Sequence, residues 1–250
     1  MKLKPLLATI LWLVLYSFSS CKKDNSNTTN NSGKLKMYIE DARNTSFGEI
    51  DSFNVTYDGS NRITGLISDN LKTLYSYSNN SFTLDLYTYG QLSVHEIFYI
   101  NSSSLVDSTL QYNDTNDSTT EKYFYNGKLL TKLITYDYSK LAGAQIFSED
   151  DYAYDNNNNL IKQVNSDGYG NINTISTITY TSKLFGFSIN PIYLPVFSKN
   201  LPATQTQTDG SGNPIATVTY TYIFDSSGRV TQETDALDNG ESVIKSYVYY

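Results

Sequence analysis

Apolar and polar residues alternate with a period of two along most of the chain. From Ala216 to Phe224 one set of positions holds Ala216, Val218, Tyr220, Tyr222 and Phe224. The intervening set holds Thr217, Thr219, Thr221 and Ile223. Successive side chains of a strand point to opposite faces, so this pattern predicts a strand with one core face and one wetter face. The alternating runs end on a recurring unit: an aromatic–x–aromatic strand end, a turn of Asp, Asn, Gly or Ser, then a strand opening on a basic or apolar residue. Val55-Thr56-Tyr57-Asp58-Gly59-Ser60-Asn61-Arg62-Ile63 is one copy, and Tyr123-Phe124-Tyr125-Asn126-Gly127-Lys128-Leu129 is the tightest. Tyr152-Ala153-Tyr154-Asp155 with Asn156 to Asn159, and Tyr220 to Val230, are longer versions. Tyr75-Ser76-Tyr77, Tyr87-Thr88-Tyr89-Gly90 and Phe98-Tyr99 are weaker ones, and the chain stops on Tyr247-Val248-Tyr249-Tyr250.

Each copy reads as a β-hairpin. Asn126-Gly127 is predicted to be a type I′ pair, a turn whose two central residues need positive φ. Hairpins at spacings of roughly 20 to 30 residues predict an all-β fold, an antiparallel meander of about 12–16 strands. Neighbouring strands twist by about 20–25°, so such a sheet curls into a barrel or half-barrel, which also hides its edges.

Two segments break the alternation. The first is the N-terminus, where Lys2 and Lys4 precede an apolar run from Leu6 to Tyr16 and then the small residues Ser17, Ser19 and Ser20. This is the three-part plan of a secretory signal, and the run is too short for the ~20 residues of a spanning helix. Phe18-Ser19-Ser20-Cys21 resembles a bacterial lipobox, which implies that residues 1–20 are a lipoprotein signal peptide and that Cys21 carries the lipid. Cys21 is the chain's one cysteine, so no disulfide competes for it. One acyl chain anchors weakly and two or more hold firmly, since each buried CH₂ contributes about 0.8 kcal/mol. Lys22-Lys23-Asp24 lacks the Asp directly after the cysteine that marks inner-membrane retention. It resembles a Bacteroidetes surface-export signal, which favours the outer membrane and the cell surface over its periplasmic face. Residues 21–33 are predicted to be the lipidated cysteine and a disordered tether, and residues 34–250 a single β domain. The second break, Phe185 to Pro202, contains Pro191, Pro195 and Pro202, which argue against a central strand. Its aromatics predict a plug or cap against one end or the concave face of the sheet, with a long crossover loop as the alternative.

Composition supports strands and narrows the partners. The chain holds 23 Tyr against one Trp and two Met, and its formal net charge is −7. No concentrated basic face is visible, so nucleic acid is set aside as a partner. Many Thr, Asn, Ser, Asp and Lys on the non-aromatic faces argue for a soluble, tethered barrel over a membrane-spanning one.

Asp225-Ser226-Ser227-Gly228-Arg229-Val230 resembles the YD-type repeats of bacterial surface and secreted-toxin shells. The signal, the hairpins and the late Ser198-Lys199-Asn200-Leu201-Pro202 segment are together similar to a group of Bacteroidetes lipoproteins with a porin-like β fold. That resemblance covers essentially the whole mature chain and implies a barrel at the outer membrane, with no activity attached.

Candidate chemistry is sparse. His95 is the one histidine and shares a face with Ser93 and Ile97, without a G-x-S-x-G motif for a Ser–His–acid triad. With Cys21 lipidated, no zinc or haem ligand set remains, and no cofactor is expected. Glu149, Asp150, Asp151 and Asp155 are close in sequence, and a glycosidase needs only two suitably spaced carboxyls. Asp155 to Asn159 and Asp209 to Asn213 are oxygen-rich but lack the EF-hand pattern, so turn chemistry accounts for them. Asp107-Ser108-Thr109 and Asp117-Ser118-Thr119 resemble short O-glycosylation sites of exported Bacteroidetes proteins. The sequence therefore predicts a non-enzymatic envelope binding or scaffold protein, with a glycan or peptide as possible ligand for exposed tyrosines. A carboxylate-dependent glycan hydrolase and a purely structural component are the alternatives. Replacing Cys21 by Ser is expected to abolish incorporation of labelled palmitate and to move the protein from the membrane to the soluble fraction; unchanged labelling would remove the anchor.

Overall fold

The computed structural model describes residues 34–46, 48–112, 117–139, 143–184, 193–195 and 197–250. The signal, Cys21, the tether and the first part of the 185–202 segment lie outside the described residues. Sixteen strands are present among those described. They are β1 Leu35–Asn44, β2 Ile50–Tyr57, β3 Ile63–Ile67, β4 Leu71–Tyr77, β5 Ser81–Thr88, β6 Gln91–Ile100, β7 Val106–Tyr112 and β8 Ser118–Asn126. There follow β9 Leu129–Ser139, β10 Gly143–Tyr154, β11 Leu160–Asp167, β12 Ile172–Leu184, β13 Asn200–Asp209, β14 Pro214–Phe224, β15 Val230–Leu237 and β16 Ser242–Tyr249. Every strand pairs antiparallel with its sequence neighbours, and β1 pairs with β16 from Leu35–Tyr249 to Asn44–Ser242. The meander therefore closes into a complete barrel, the upper end of the expected strand count. Closure removes the two edges that a half-barrel would leave unpaired.

Alternation assigns the faces as expected. Tyr220, Tyr222 and Phe224 point inward with Tyr123 and Tyr247, while Thr217, Thr219 and Thr221 point outward. The inward residues of one end form the core. Phe82 stacks on Phe98 with ring centroids 4.4 Å apart, and Tyr38 contacts Tyr247 at 5.6 Å.

The aromatic–x–aromatic units gather at this same end, and their second tyrosines perform one repeated task. Pairing of β2 with β3 runs to Tyr57–Ile63, whereas pairing of β1 with β2 stops at Met37–Asn54. The strands that are not joined by a turn here therefore part before the barrel end. Across the gap the Tyr57 hydroxyl donates to the Leu35 carbonyl at 2.9 Å. The same bond joins Tyr77 to Ile63, Tyr125 to Val106, Tyr154 to Leu130, Tyr180 to Leu160, Tyr222 to Pro202 and Tyr249 to Val230, at 2.6–3.0 Å. Seven of the eight even-numbered strands thus carry a bridging tyrosine at or near this end. In β6 the position holds Ile100, and Tyr99 points outward. Burial pushes the Tyr57 and Tyr180 hydroxyls up to about 12, so they remain protonated donors.

The turns explain the rest of the repeat. Asp58 Oδ1 accepts from the Ser60 and Arg62 amides, and Asp58 Oδ2 from Arg62 Nε. Asn61 sits at φ 65°, as the turn requires. The Arg62 guanidinium then lies over the Tyr77 ring at 4.2 Å, and Arg229 lies over Tyr249 at 4.5 Å in the matching place. Asp and Arg of the motif therefore fix a turn and brace the bridging tyrosine of the next even strand.

Three expectations need correction. Asn126 pairs with Leu129, so the turn's central residues are Gly127 and Lys128, and only Gly127 has positive φ. Glycine at the first central position fits a II′ turn, and the I′ pattern belongs instead to Tyr89-Gly90, at φ 50° and 79°. The Tyr87-Thr88-Tyr89-Gly90 unit lies at the opposite barrel end and is not part of the tyrosine ring. Pro202 falls inside β13, where a register shift beside Tyr180 spares the ladder the amide that proline lacks.

The described part of the 185–202 segment crosses the tyrosine end as a cap. The Tyr193 carbonyl accepts from the Val106 amide at 3.0 Å, and the Tyr193 ring packs against Tyr77 and Phe82. The Phe197 carbonyl accepts from the Leu160 amide at 2.8 Å, and its ring meets Tyr152. Asn159 Oδ1 receives the Lys199 and Asn200 amides.

Tyr154→Phe is expected to lower the unfolding free energy by about 1–3 kcal/mol, because it leaves the buried Leu130 carbonyl without a partner. Tyr87→Phe, on the outer face, should change it by less than about 0.5 kcal/mol. Urea unfolding of both variants measures the difference.

Candidate functional site

Beyond the capped end the barrel encloses a cavity of about 740 Å³. Its wall is built from inward positions of β6 to β13, and its chemistry is uneven. Glu96, Glu121, Asp137 and Asp150 line it, together with Gln111, Gln163, Asn165, Asn173 and Gln207, several Thr and Ser hydroxyls, and the ring of Tyr152. Among the described residues no lysine, arginine or histidine lines it. Asp137, Asn173 and Phe147 are exposed, so the cavity reaches solvent at the end away from the cap.

Register places these carboxylates together. Glu96 lies opposite Gln111, Gln111 opposite Thr119, Glu121 opposite Thr135, and Asp150 opposite both Leu133 and Asn165. Glu121 Oε2 accepts from the Tyr123 hydroxyl at 2.6 Å, and Asp150 Oδ1 accepts from Gln163 Nε2 and Asn165 Nδ2 at 3.0 and 3.1 Å. Burial without a cation pushes Glu96 up to about 8, with the Glu121 charge adding to it. Burial likewise pushes Glu121 up to about 7, against the Tyr123 hydrogen bond and with the Asp150 charge. Asp150 is raised by burial too, in part offset by its two amide partners.

The opposite wall carries a contrasting solution. Lys245, 1 % exposed, lies 2.9 Å from Glu233 and 2.7 Å from Asp235. Burial alone works to strip its proton, but the two carboxylates outweigh that and hold its pKa well above the ordinary lysine value. Glu233 is itself pushed up to about 7 by burial, with Lys245 pulling the other way.

The residues singled out from sequence are dispersed. Asp150 enters the cavity, but Glu149 and Asp151 face outward, where Lys132 Nζ lies 2.7 and 3.5 Å from them. Asp155 caps its own turn through the Asn157 and Asn159 amides, and Asp209 does the same for Ser211 and Asn213. Both oxygen-rich loops are thus turns, as expected, and the cluster of four acids is not one site. Adjacent residues of a strand cannot share a face, which is why Asp150 and Asp151 separate.

His95 also faces outward, its Nδ1 2.6 Å from Asp85 Oδ1. Ser93 sits in a register shift and turns its hydroxyl to the Gln91 carbonyl, so it does not complete a triad. In the two glycosylation-like motifs Ser108 and Ser118 point outward, Thr109 is buried, and Thr119 lines the cavity. Among the described residues no group of three or more His, Cys, Asp or Glu is placed to hold a metal ion. Seven inward tyrosines donate to carbonyls across the rim, while the ring of Tyr152 lines the cavity.

Glu96 and Glu121 went unnoticed in the sequence, although a signal existed. Glu121-x-Tyr123-x-Tyr125, Asp150-x-Tyr152-x-Tyr154 and Lys245-x-Tyr247-x-Tyr249 each put a charge on the tyrosine face of an alternating strand. On that face a charge must point into the lumen.

Solved structures similar to this chain include two porin-like proteins. A porin-like protein from Bacteroides uniformis ATCC 8492 aligns at 15% identity with a TM-score of 0.63, covering 88% of this chain and 98% of its own. A porin-like protein from Bacteroides vulgatus ATCC 8482 aligns at 11% identity with a TM-score of 0.62, covering 86% and 98%. At these identities the likeness is one of fold, the antiparallel meander closed into a barrel. No family model and no curated protein matches the chain.

The raised carboxyls make stability depend on pH in a defined direction. Glu96 and Glu121 have folded pKa values of about 8 and 7, above the ordinary 4.5 of an unfolded glutamate. Their neutral forms favour the folded state, so the stability they contribute is complete below about pH 4.5 and is lost as pH rises through 7 and 8. The melting temperature is expected to fall by on the order of 10 °C between about pH 5.5 and 8.5. Glu121→Gln, which cannot ionise, should flatten that slope, and calorimetry across the range reads it.

Proposed function

We propose that the chain is an envelope-tethered binding protein, held at the outer membrane by lipid on Cys21, whose ligand site is the lumen cavity. The observation that carries this is the blind cavity itself, about 740 Å³, capped at one end and lined by polar groups whose hydrogen-bonding capacity is only partly used. Ligand pockets of roughly 300–1,000 Å³ are typical for small molecules. The cap formed by Tyr193, Phe197 and Leu201 argues against a conducting channel, because it fills the lumen across the tyrosine end.

Tethering by lipid, rather than by the barrel wall, is supported by the outer face. The Asp85–His95 pair, the Lys132–Glu149–Asp151 group and rows of threonine cover it, including Thr179 and Thr204 with hydroxyls 2.6 Å apart. A lysine on the lipid face at the bilayer midplane costs about 2–4 kcal/mol, and acidic residues cost less. The porin-like neighbours, together with the signal and Lys22-Lys23-Asp24, support an outer-membrane address with the barrel displayed at the surface.

Ser176→Phe places a ring in the cavity from a buried wall position. A thermal-shift panel of sugars, amino acids and amines is expected to contain compounds that raise the melting temperature of the native chain, with the shift lost in Ser176→Phe. A panel with no stabilising compound, or shifts that persist with the cavity filled, overturns the reading.

A further inference from the structure

The lumen treats its two groups of buried carboxylates differently. On the β15–β16 wall, Glu233 and Asp235 receive the ammonium of Lys245 at 2.9 and 2.7 Å, in a setting walled by Tyr38 and Tyr247. Five to eight strands away, on the β6–β10 wall, Glu96, Glu121 and Asp150 face the cavity with no cation among the described residues lining it. Burying carboxylates without a counter-charge is costly, and a barrel able to build a lysine into one wall has left it out of the other.

A second observation marks this wall as a site rather than a solvated acidic patch. Ser176, 4 % exposed and lining the same cavity, has a hydroxyl without a hydrogen-bond partner among the described residues. Glu121, 6 % exposed, lines the same cavity and accepts from the Tyr123 hydroxyl on Oε2.

We propose that the cavity takes a small organic cation, a protonated aliphatic amine whose ammonium seats among Glu96, Glu121 and Asp150 as Lys245 seats between Glu233 and Asp235. The inference rests on the cavity being the binding site and adds the class of ligand. Ser176 and the free amide groups of the wall supply hydrogen bonds to the polar remainder of the molecule. An arriving ammonium favours the ionised carboxylates, so binding near neutral pH releases protons from Glu96 and Glu121.

Isothermal titration with 1,5-diaminopentane, and with 1,5-pentanediol as a neutral compound of similar shape, tests this at physiological ionic strength. The diamine is expected to bind saturably, with an enthalpy that changes with the ionisation enthalpy of the buffer, and the diol not to bind. Glu121→Gln and Asp150→Asn, which keep side-chain volume, should each weaken the diamine by about ten-fold or more. Gln111→Lys, which supplies an ammonium to the wall, should abolish binding and raise the melting temperature above neutral pH, a gain that an unfolded variant cannot mimic. Binding of the diol as well as the diamine, or diamine binding unaffected by both carboxamide variants, overturns the amine assignment. If sugars or other neutral compounds still bind and Ser176→Phe still blocks them, the cavity reading survives that outcome. If nothing occupies the cavity, both fall.

Discussion

The barrel depends on one hydrogen bond repeated around its rim, from a tyrosine hydroxyl to the carbonyl of the neighbouring strand. Sixteen strands joined by tight turns hold together in hairpin pairs at this end, but the strands between hairpins part before the rim. Each parting would leave a carbonyl such as Leu130 or Val106 buried beside apolar side chains with nothing to receive. A buried, unpaired peptide oxygen costs about as much as a lost hydrogen bond. A tyrosine two residues beyond the core aromatic reaches across the gap, and its ring fills the space that the diverging strands open. The motif is thus a closure device in which Asp shapes the turn, Arg braces the ring and Tyr joins the hairpins.

That device has consequences for the rest of the molecule. With the rim tied and the Tyr193-to-Leu201 stretch laid across it, the lumen is solid at one end, and the inward positions farther along are free to be polar. The strands continue to alternate there, but the inward set changes from Tyr, Phe and Leu to Glu, Gln, Thr and Asn. Function and stability therefore occupy different halves of one lumen. The halves meet at Tyr152 and Gln163, which line both the large cavity and a void of about 60 Å³ beneath Phe197.

Electrostatics divides the lumen a second way. The Lys245 group pairs its carboxylates internally, although Asp235 Oδ1 stays buried without a hydrogen bond, and in doing so ties β15 to β16. The Glu96, Glu121 and Asp150 wall keeps its acids proton-hungry instead. Such groups weaken the empty barrel as pH rises and favour any positively charged guest, so one feature accounts for both the pH slope and the ligand class.

The sequence by itself determined the strands, the places where they turn and the segment that interrupts them. These are local properties: a period of two within one strand, an Asp or Gly at a fixed offset within one turn, and prolines with aromatics in one interrupting segment. It also pointed to a lipid on Cys21, a reading that stands on the signal alone. Tertiary structure decided whether the sheet closed, where each tyrosine hydroxyl went and which acids met. Closure depends on β1 reaching β16 across nearly the whole chain. The cavity brings Glu96, Glu121 and Asp150 together from three strands through their registers, whereas Asp150 and Asp151, neighbours in sequence, are sent to opposite faces by the pleat. Proximity along the chain and proximity in a sheet obey different rules, so the acidic run at 149–155 was legible and the real acidic wall was not.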